Sequence, residues 1–153
     1  MKNFILKIIL WFLYRGIKVL NGRDSLVTRE IKNLPENFTI KISSDIKHGK
    51  YVCFKINSGK VVKTKYADKI DLQIIFKDKN LAYRVFTGKL SIMEAYAEHC
   101  FIMQGNIYIA MGVTRILERV EGYLFPNKIR KRCLSKPFKR EISMFKTYLL
   151  CLF

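Results

Sequence analysis

Few residues in this chain are of a type and spacing that does chemistry. Glu94 and Glu98 stand four positions apart in IMEAYAE, which puts two carboxylates on one helical face, a spacing that suits general acid–base work. Glu94 also follows Ser91 by three, the S-x-x-E spacing of a reciprocal capping box, and that gives it a structural role. His99 and Cys100 are neighbours, yet adjacent side chains point apart and no third group is evident to orient the histidine, so they make a poor nucleophile–base pair. The chain has two histidines, His48 and His99, and four cysteines, Cys53, Cys100, Cys133 and Cys151, without a C-x-x-C pair. That scatter suits reduced thiols of a cytosolic protein and offers no zinc set. The phosphate-binding glycine fingerprints, G-x-S-x-G and H-E-x-x-H are all missing from the sequence. The expectation is a non-enzymatic protein with no catalytic residue, metal or cofactor.

What remains is charge and apolar volume. The 153 residues carry 29 Lys and Arg against 12 Asp and Glu, net +17. Residues 1–32 hold 7 basic and 2 acidic side chains, and residues 126–153 hold 8 and 1, so the excess sits at the two ends. Such an excess favours a polyanion, either a nucleic acid or an anionic membrane. Nucleic acid is disfavoured, because the aromatics fall mostly at core-periodic positions rather than among the basic residues. Near anionic lipid each Lys or Arg contributes about 1 kcal/mol. The expected membrane contacts are Lys7, Trp11, Arg15 and Lys18 at one end, with Lys128, Arg130, Lys131 and Arg132 of KIRKR at the other.

The elements that position these residues follow from periodicity. MKNFILKIILWFLYRGIKVL has an uninterrupted apolar run only from Ile8 to Tyr14, far short of the roughly 20 residues a membrane span needs, and no signal-peptide cleavage site follows. Residues 1–24 are expected to form an amphipathic helix that packs on the domain, lies in a membrane interface, or does both. DSLVTREIKNL reads as a short helix capped by Asp24 or Ser25. Strand patterns follow: Phe38, Ile40, Ile42 and Ile46 alternate with polar residues, HGK is a turn, and YVCFKIN and VVKTK flank the loop NSGK. KIDLQIIFK is a further strand with Ile70, Leu72, Ile74 and Phe76 on one side. Helices then take over: Asp78 caps KNLAYRVFTG, the Ser91–Glu94 box opens IMEAYAE, and Asn106 caps a long helix after the strand CFIMQ. Gly112 inside that helix costs about 1 kcal/mol relative to alanine and marks a place for close approach. Residues 126–153 are expected to be a basic linker and a short apolar segment, readable as a short helix with Ile142, Phe145, Leu149 and Leu152 aligned.

Taken in order, IDLQIIF, a helix closed by TGKL, a helix carrying MEAY, a strand ending in MQG and the apolar helix NIYIAMGVTRILERVEGYLF resemble the sterol carrier protein type 2 family. The best matches are Gly88, Lys89, Leu90, Ala95, Gly105 and the run through Leu117. The resemblance covers residues 25–125, with its residue-level core at 70–117. Glu98, His99 and Cys100 stand where the family often has a glycine, and the tail from Lys128 onward lies outside the pattern.

The resemblance implies an α+β fold: a curved, mostly antiparallel sheet of about five strands with helices packed on one face. It also implies an apolar tunnel between the two layers for a sterol, a fatty acyl chain or a similar lipid. Phe86, Met93, Phe101, Met103, Ile107, Met111 and Ile116 are the candidate lining, with ordinary core packing as the alternative for each. The function expected is non-catalytic lipid binding and transfer, in the cytoplasm or at the periphery of an anionic membrane. The alternative is an accessory module of this fold that supports a partner enzyme through protein contact.

Overall fold

The alternating segments pair into one open sheet in the computed structural model of the protein, which describes residues 1–47, 49–65, 69–134 and 136–153. Its strands are β1 (Thr39–Ser43), β2 (Tyr51–Asn57), β3 (Lys60–Lys63), β4 (Leu72–Phe76) and β5 (Phe101–Gln104), in the order β3-β2-β1-β4-β5. A tight turn at Ser58 and Gly59 folds β2 back on β3. β1–β2, β2–β3 and β4–β5 are antiparallel, and β1–β4 is parallel. The register sets Ile40 opposite both Phe54 and Leu72, and Phe76 opposite Phe101, all buried. Period two thus gives the sheet one apolar face, while the other carries Lys41, Lys55 and Gln73.

Seven helices accompany the sheet among the described residues: α1 (Lys2–Leu20), α2 (Ser25–Lys32), α3 (Lys79–Phe86), α4 (Ile92–Ala97), α5 (Ile107–Leu124), α6 (Asn127–Cys133) and α7 (Met144–Leu152). The expected caps are in place. Asp24, Asp78 and Asn106 accept from backbone N–H groups of their first turns, and Ser91 with Glu94 makes the full reciprocal box. Those bonds to Ser91 hold the Glu94 carboxyl below its ordinary range, so it caps its helix as a carboxylate. α1 lies against β2 and β3 and touches α3, α5 and α7. Leu6, Leu10, Leu13, Ile17 and Leu20 bury its inner face, each worth about 1.5–3 kcal/mol. Phe4, Ile8 and Trp11 stay exposed on its outer side.

Three expectations change. β1 ends at Ser43, and Ile46 is 55% exposed rather than the last inward residue of a strand. The stretch after Pro126 is not a linker along its whole length, because residues 127–133 form α6. The tail does form a helix, but Phe145, Leu149 and Leu152 face outward, and Thr147 and Cys151 are its buried residues. The expected HGK turn includes His48, which lies outside the described residues.

Candidate functional site

α5 is the hub on which the ends of the chain are fixed. Asp24 is fully buried and fully engaged: Arg119 Nε donates to its two oxygens at 3.0 and 3.2 Å, Tyr123 Oη donates at 2.6 Å, and the Val27 N–H donates at 3.0 Å. Burial and the bond to Asp24 push the Tyr123 phenol up to about 12, so it remains a donor at every physiological pH. The Tyr123 hydroxyl in turn accepts from the Glu141 N–H at 2.9 Å, which ties the tail to α5. One turn earlier, Glu30 pairs with Arg115 at 3.0 and 3.2 Å. Gly112 permits this: a Cβ there would stand 3.0 Å from Glu30 Oε2. The close approach foreseen at Gly112 is therefore made by a side chain of α2.

The C-terminal turn of α5 is closed by residues of the tail. Arg140 donates to the carbonyls of Gly122 and Phe125 at 3.1 and 2.6 Å, and Tyr148 Oη donates to that of Leu124 at 2.5 Å. Arg15 of α1 reaches α7 and donates to the Cys151 carbonyl at 2.8 Å. Cations and hydroxyls at helix C-termini satisfy orphan carbonyls and complement the dipole.

These ties leave an apolar cavity of about 260 Å³ among four helices. Ile9, Phe12 and Leu13 of α1 form one wall, and Phe86 of α3 the base. Glu121 and Leu124 of α5, Phe125 and Tyr148 of α7 complete it. The Phe12 and Tyr148 rings meet edge-on at 5.9 Å, so residues far apart in sequence share one wall. Glu121 is the exceptional member. It is 4% exposed, and its Oε1 has no hydrogen-bond partner among the described residues. Burial first, and then the neighbouring Glu118, push its carboxyl well above the ordinary range, which favours the protonated form. An orphaned buried polar group costs about 1–3 kcal/mol.

The tunnel implied between sheet and helices is closed by side chains. Ile42, Ile74, Phe76, Phe86, Phe101 and Leu117 leave only about 10 Å³ there. An open groove of about 470 Å³ beside α2 is larger than either, but its carboxylates, Asp24 and Glu141, already have partners.

The sequence candidates distribute as follows. Phe86 reaches the four-helix cavity, and with Phe101 it also closes the space between the layers. Met93 and Met111 share an outer groove of about 420 Å³ with Arg119 and Phe138. Met103 packs at the edge of the core, Ile116 is buried within it, and Ile107 is half-exposed. Of the basic candidates, Lys7, Lys18, Lys128 and Lys131 are exposed, as is Trp11. Arg15, Arg130 and Arg132 also bind backbone carbonyls, those of Cys151, Phe138 and Gly88 respectively. Ile9, Phe12, Leu13, Glu121, Leu124, Phe125 and Tyr148 were missed. A lone carboxylate four residues after Leu117 and three before Leu124 lies on an apolar helical stripe, and that was the available signal.

No group of three or more His, Cys, Asp or Glu side chains suited to a metal occurs among the described residues. The four cysteines are buried and unpaired, and burial pushes the Cys53, Cys133 and Cys151 thiols up. Among the described residues, no helix is long and apolar enough to cross a membrane.

No family model matches the chain, and no curated protein matches it. Solved structures do. Sterol Carrier Protein 2 from Yarrowia lipolytica matches at 18% identity and a TM-score of 0.47, over 72% of this chain and 88% of that one. The sterol carrier protein domain 2 of Helicoverpa armigera matches at 20% identity and a TM-score of 0.48, over 80% of this chain and 90% of that one. UbiJ-SCP2, a ubiquinone synthesis protein, matches at 11% identity and a TM-score of 0.48, over 70% of this chain and 94% of that one. All three are named as sterol carrier proteins or carry that family's abbreviation, and at these identities the likeness is one of fold.

Proposed function

We propose that this protein binds a single apolar chain non-covalently in the cavity among α1, α3, α5 and α7, and exchanges it with an anionic membrane. The cavity carries this reading. Its volume of about 260 Å³ is walled by apolar side chains apart from Glu121 and the Tyr148 hydroxyl. A methylene needs about the space of a liquid water, roughly 30 Å³, so roughly eight carbons fit. At about 0.8 kcal/mol per methylene, that burial is worth roughly 6 kcal/mol before ordering costs. Docking at the membrane is supported by Ile8 and Trp11 on α1 and by Phe145, Leu149 and Leu152 on α7, all exposed. Lys7, Lys18, Lys128 and Lys131 add exposed positive charge on α1 and α6. The location this implies is cytoplasmic and peripheral to the membrane.

The accessory-module reading has its own support. The space between the layers, about 10 Å³, is too small for a lipid, and an exposed apolar helix face also suits a protein partner. The two are separated by titrating the full chain with a fluorescent acyl chain and with anionic phospholipid vesicles. Lipid exchange predicts saturable uptake that Ile9→Trp, which fills the cavity, reduces severalfold. It also predicts vesicle binding that weakens with salt and falls severalfold in Phe145→Ser/Leu149→Ser, while uptake persists. If the wild-type chain takes up no probe and binds no vesicle, the accessory reading stands.

A further inference from the structure

Among the buried carboxylates, Asp24 and Glu30 each have an arginine partner, at 3.0 Å in both cases. Glu121 has an oxygen with no partner among the described residues, and the residue lines the four-helix cavity. Nothing cationic lines that cavity, and the Tyr148 hydroxyl donates its proton to the Leu124 carbonyl. Around Glu121 the titratable neighbours are Glu118 on the same helix, the Cys133 thiol of α6 and the Tyr148 phenol of α7. Two cations stand behind them, Arg140 on the Gly122 carbonyl beside Tyr148 and Arg132 beside Cys133, and neither is part of the cavity lining.

We propose that Glu121 selects the head group of the ligand: the cavity takes a medium-chain amphiphile carrying an uncharged hydroxyl, and disfavours one carrying a carboxylate. This rests on the lipid-binding reading above. A neutral carboxyl offers one O–H donor and one carbonyl acceptor. A ligand hydroxyl, which also donates and accepts, pairs with this carboxyl while its chain lies along the apolar wall. A carboxylate head would bring an unpaired charge into an apolar space that holds no cation. The source of the hydroxyl, whether a fatty alcohol, a glyceride or a sterol-like ring, is set by the shape of the body, and all share this head chemistry.

The test is calorimetric titration of the full chain at neutral pH with 1-octanol and with octanoate, in the wild type, Glu121→Gln and Glu121→Leu. Glutamine keeps a donor and an acceptor at this position, and leucine keeps only volume. Wild type and Glu121→Gln are expected to bind the alcohol at least about tenfold more tightly than the acid. Glu121→Leu is expected to lose about five- to tenfold in alcohol affinity, with little change for octanoate. An unchanged preference in Glu121→Leu, or wild-type affinities equal for the two ligands, overturns the role of Glu121. A neutral apolar dye titrated in parallel separates the two levels. If the dye binds but the head groups are not distinguished, only this proposal fails. If neither dye nor alcohol binds, the lipid-binding reading fails with it.

Discussion

Glu121 shows how a single side chain can be both a cost to the fold and a clue to its use. A free glutamate titrates near 4.5, and burial beside Glu118 raises the folded-state value well above that. Below the unfolded value the carboxyl is neutral in both states. Above it the unfolded chain releases the proton and the folded chain keeps it, so stability falls as pH rises until the folded-state value is passed. The expected outcome is a wild-type urea midpoint that drops relative to Glu121→Gln as the pH rises above the ordinary glutamate range, since glutamine does not titrate. Parallel curves would show that Glu121 is not an orphaned acid. At this scale the caps were legible, because Asp24, Asp78, Ser91 with Glu94, and Asn106 act within one helical turn. The methionines were less so. Met93 and Met111 face an outer groove, and residue type alone does not say which surface of a helix meets which neighbour.

At the scale of elements, hydrophobic period located α1 to α5, α7 and all five strands, but it missed α6. α6 has too little apolar surface to announce itself. Its main long-range anchor is Gly88, which at φ +77° lies directly under Ile129 and whose carbonyl accepts from the Cys133 thiol at 2.8 Å and from Arg132 at 2.7 Å. Gly88→Ala therefore forces an L-residue into the left-handed region and drives its methyl into Ile129. A loss of about 2–4 kcal/mol is expected in chemical denaturation. A change below about 0.5 kcal/mol, the usual range of a neutral surface substitution, would contradict the anchoring of α6 at this point. On α7 the large apolar residues align as the period requires, yet the face that packs inward carries Thr147 and Cys151. Period identifies a stripe; it cannot tell whether that stripe meets the core or another surface.

Across the whole molecule, the two positively charged ends are not appendages. α1 crosses β2 and β3 and meets α5 and α7, and Arg140, Tyr148 and Arg15 secure the tail. The antiparallel hairpins were readable because their partners are joined by short turns. The parallel β1–β4 pair was not readable from local pattern, because a whole hairpin separates its strands. The same reason hid the cavity: its walls come from α1 and α7, whose residues meet only in the folded chain. The proposed function requires an apolar ligand to sit among α1, α3, α5 and α7. It can be located by methyl NMR, titrating the full chain with 1-octanol and following the Ile and Leu methyls. Saturable shifts concentrated at Ile9, Leu13 and Leu124 are predicted. Shifts concentrated at Ile42, Ile74 and Leu117, or no saturable shift at all, would contradict the four-helix cavity as the binding site.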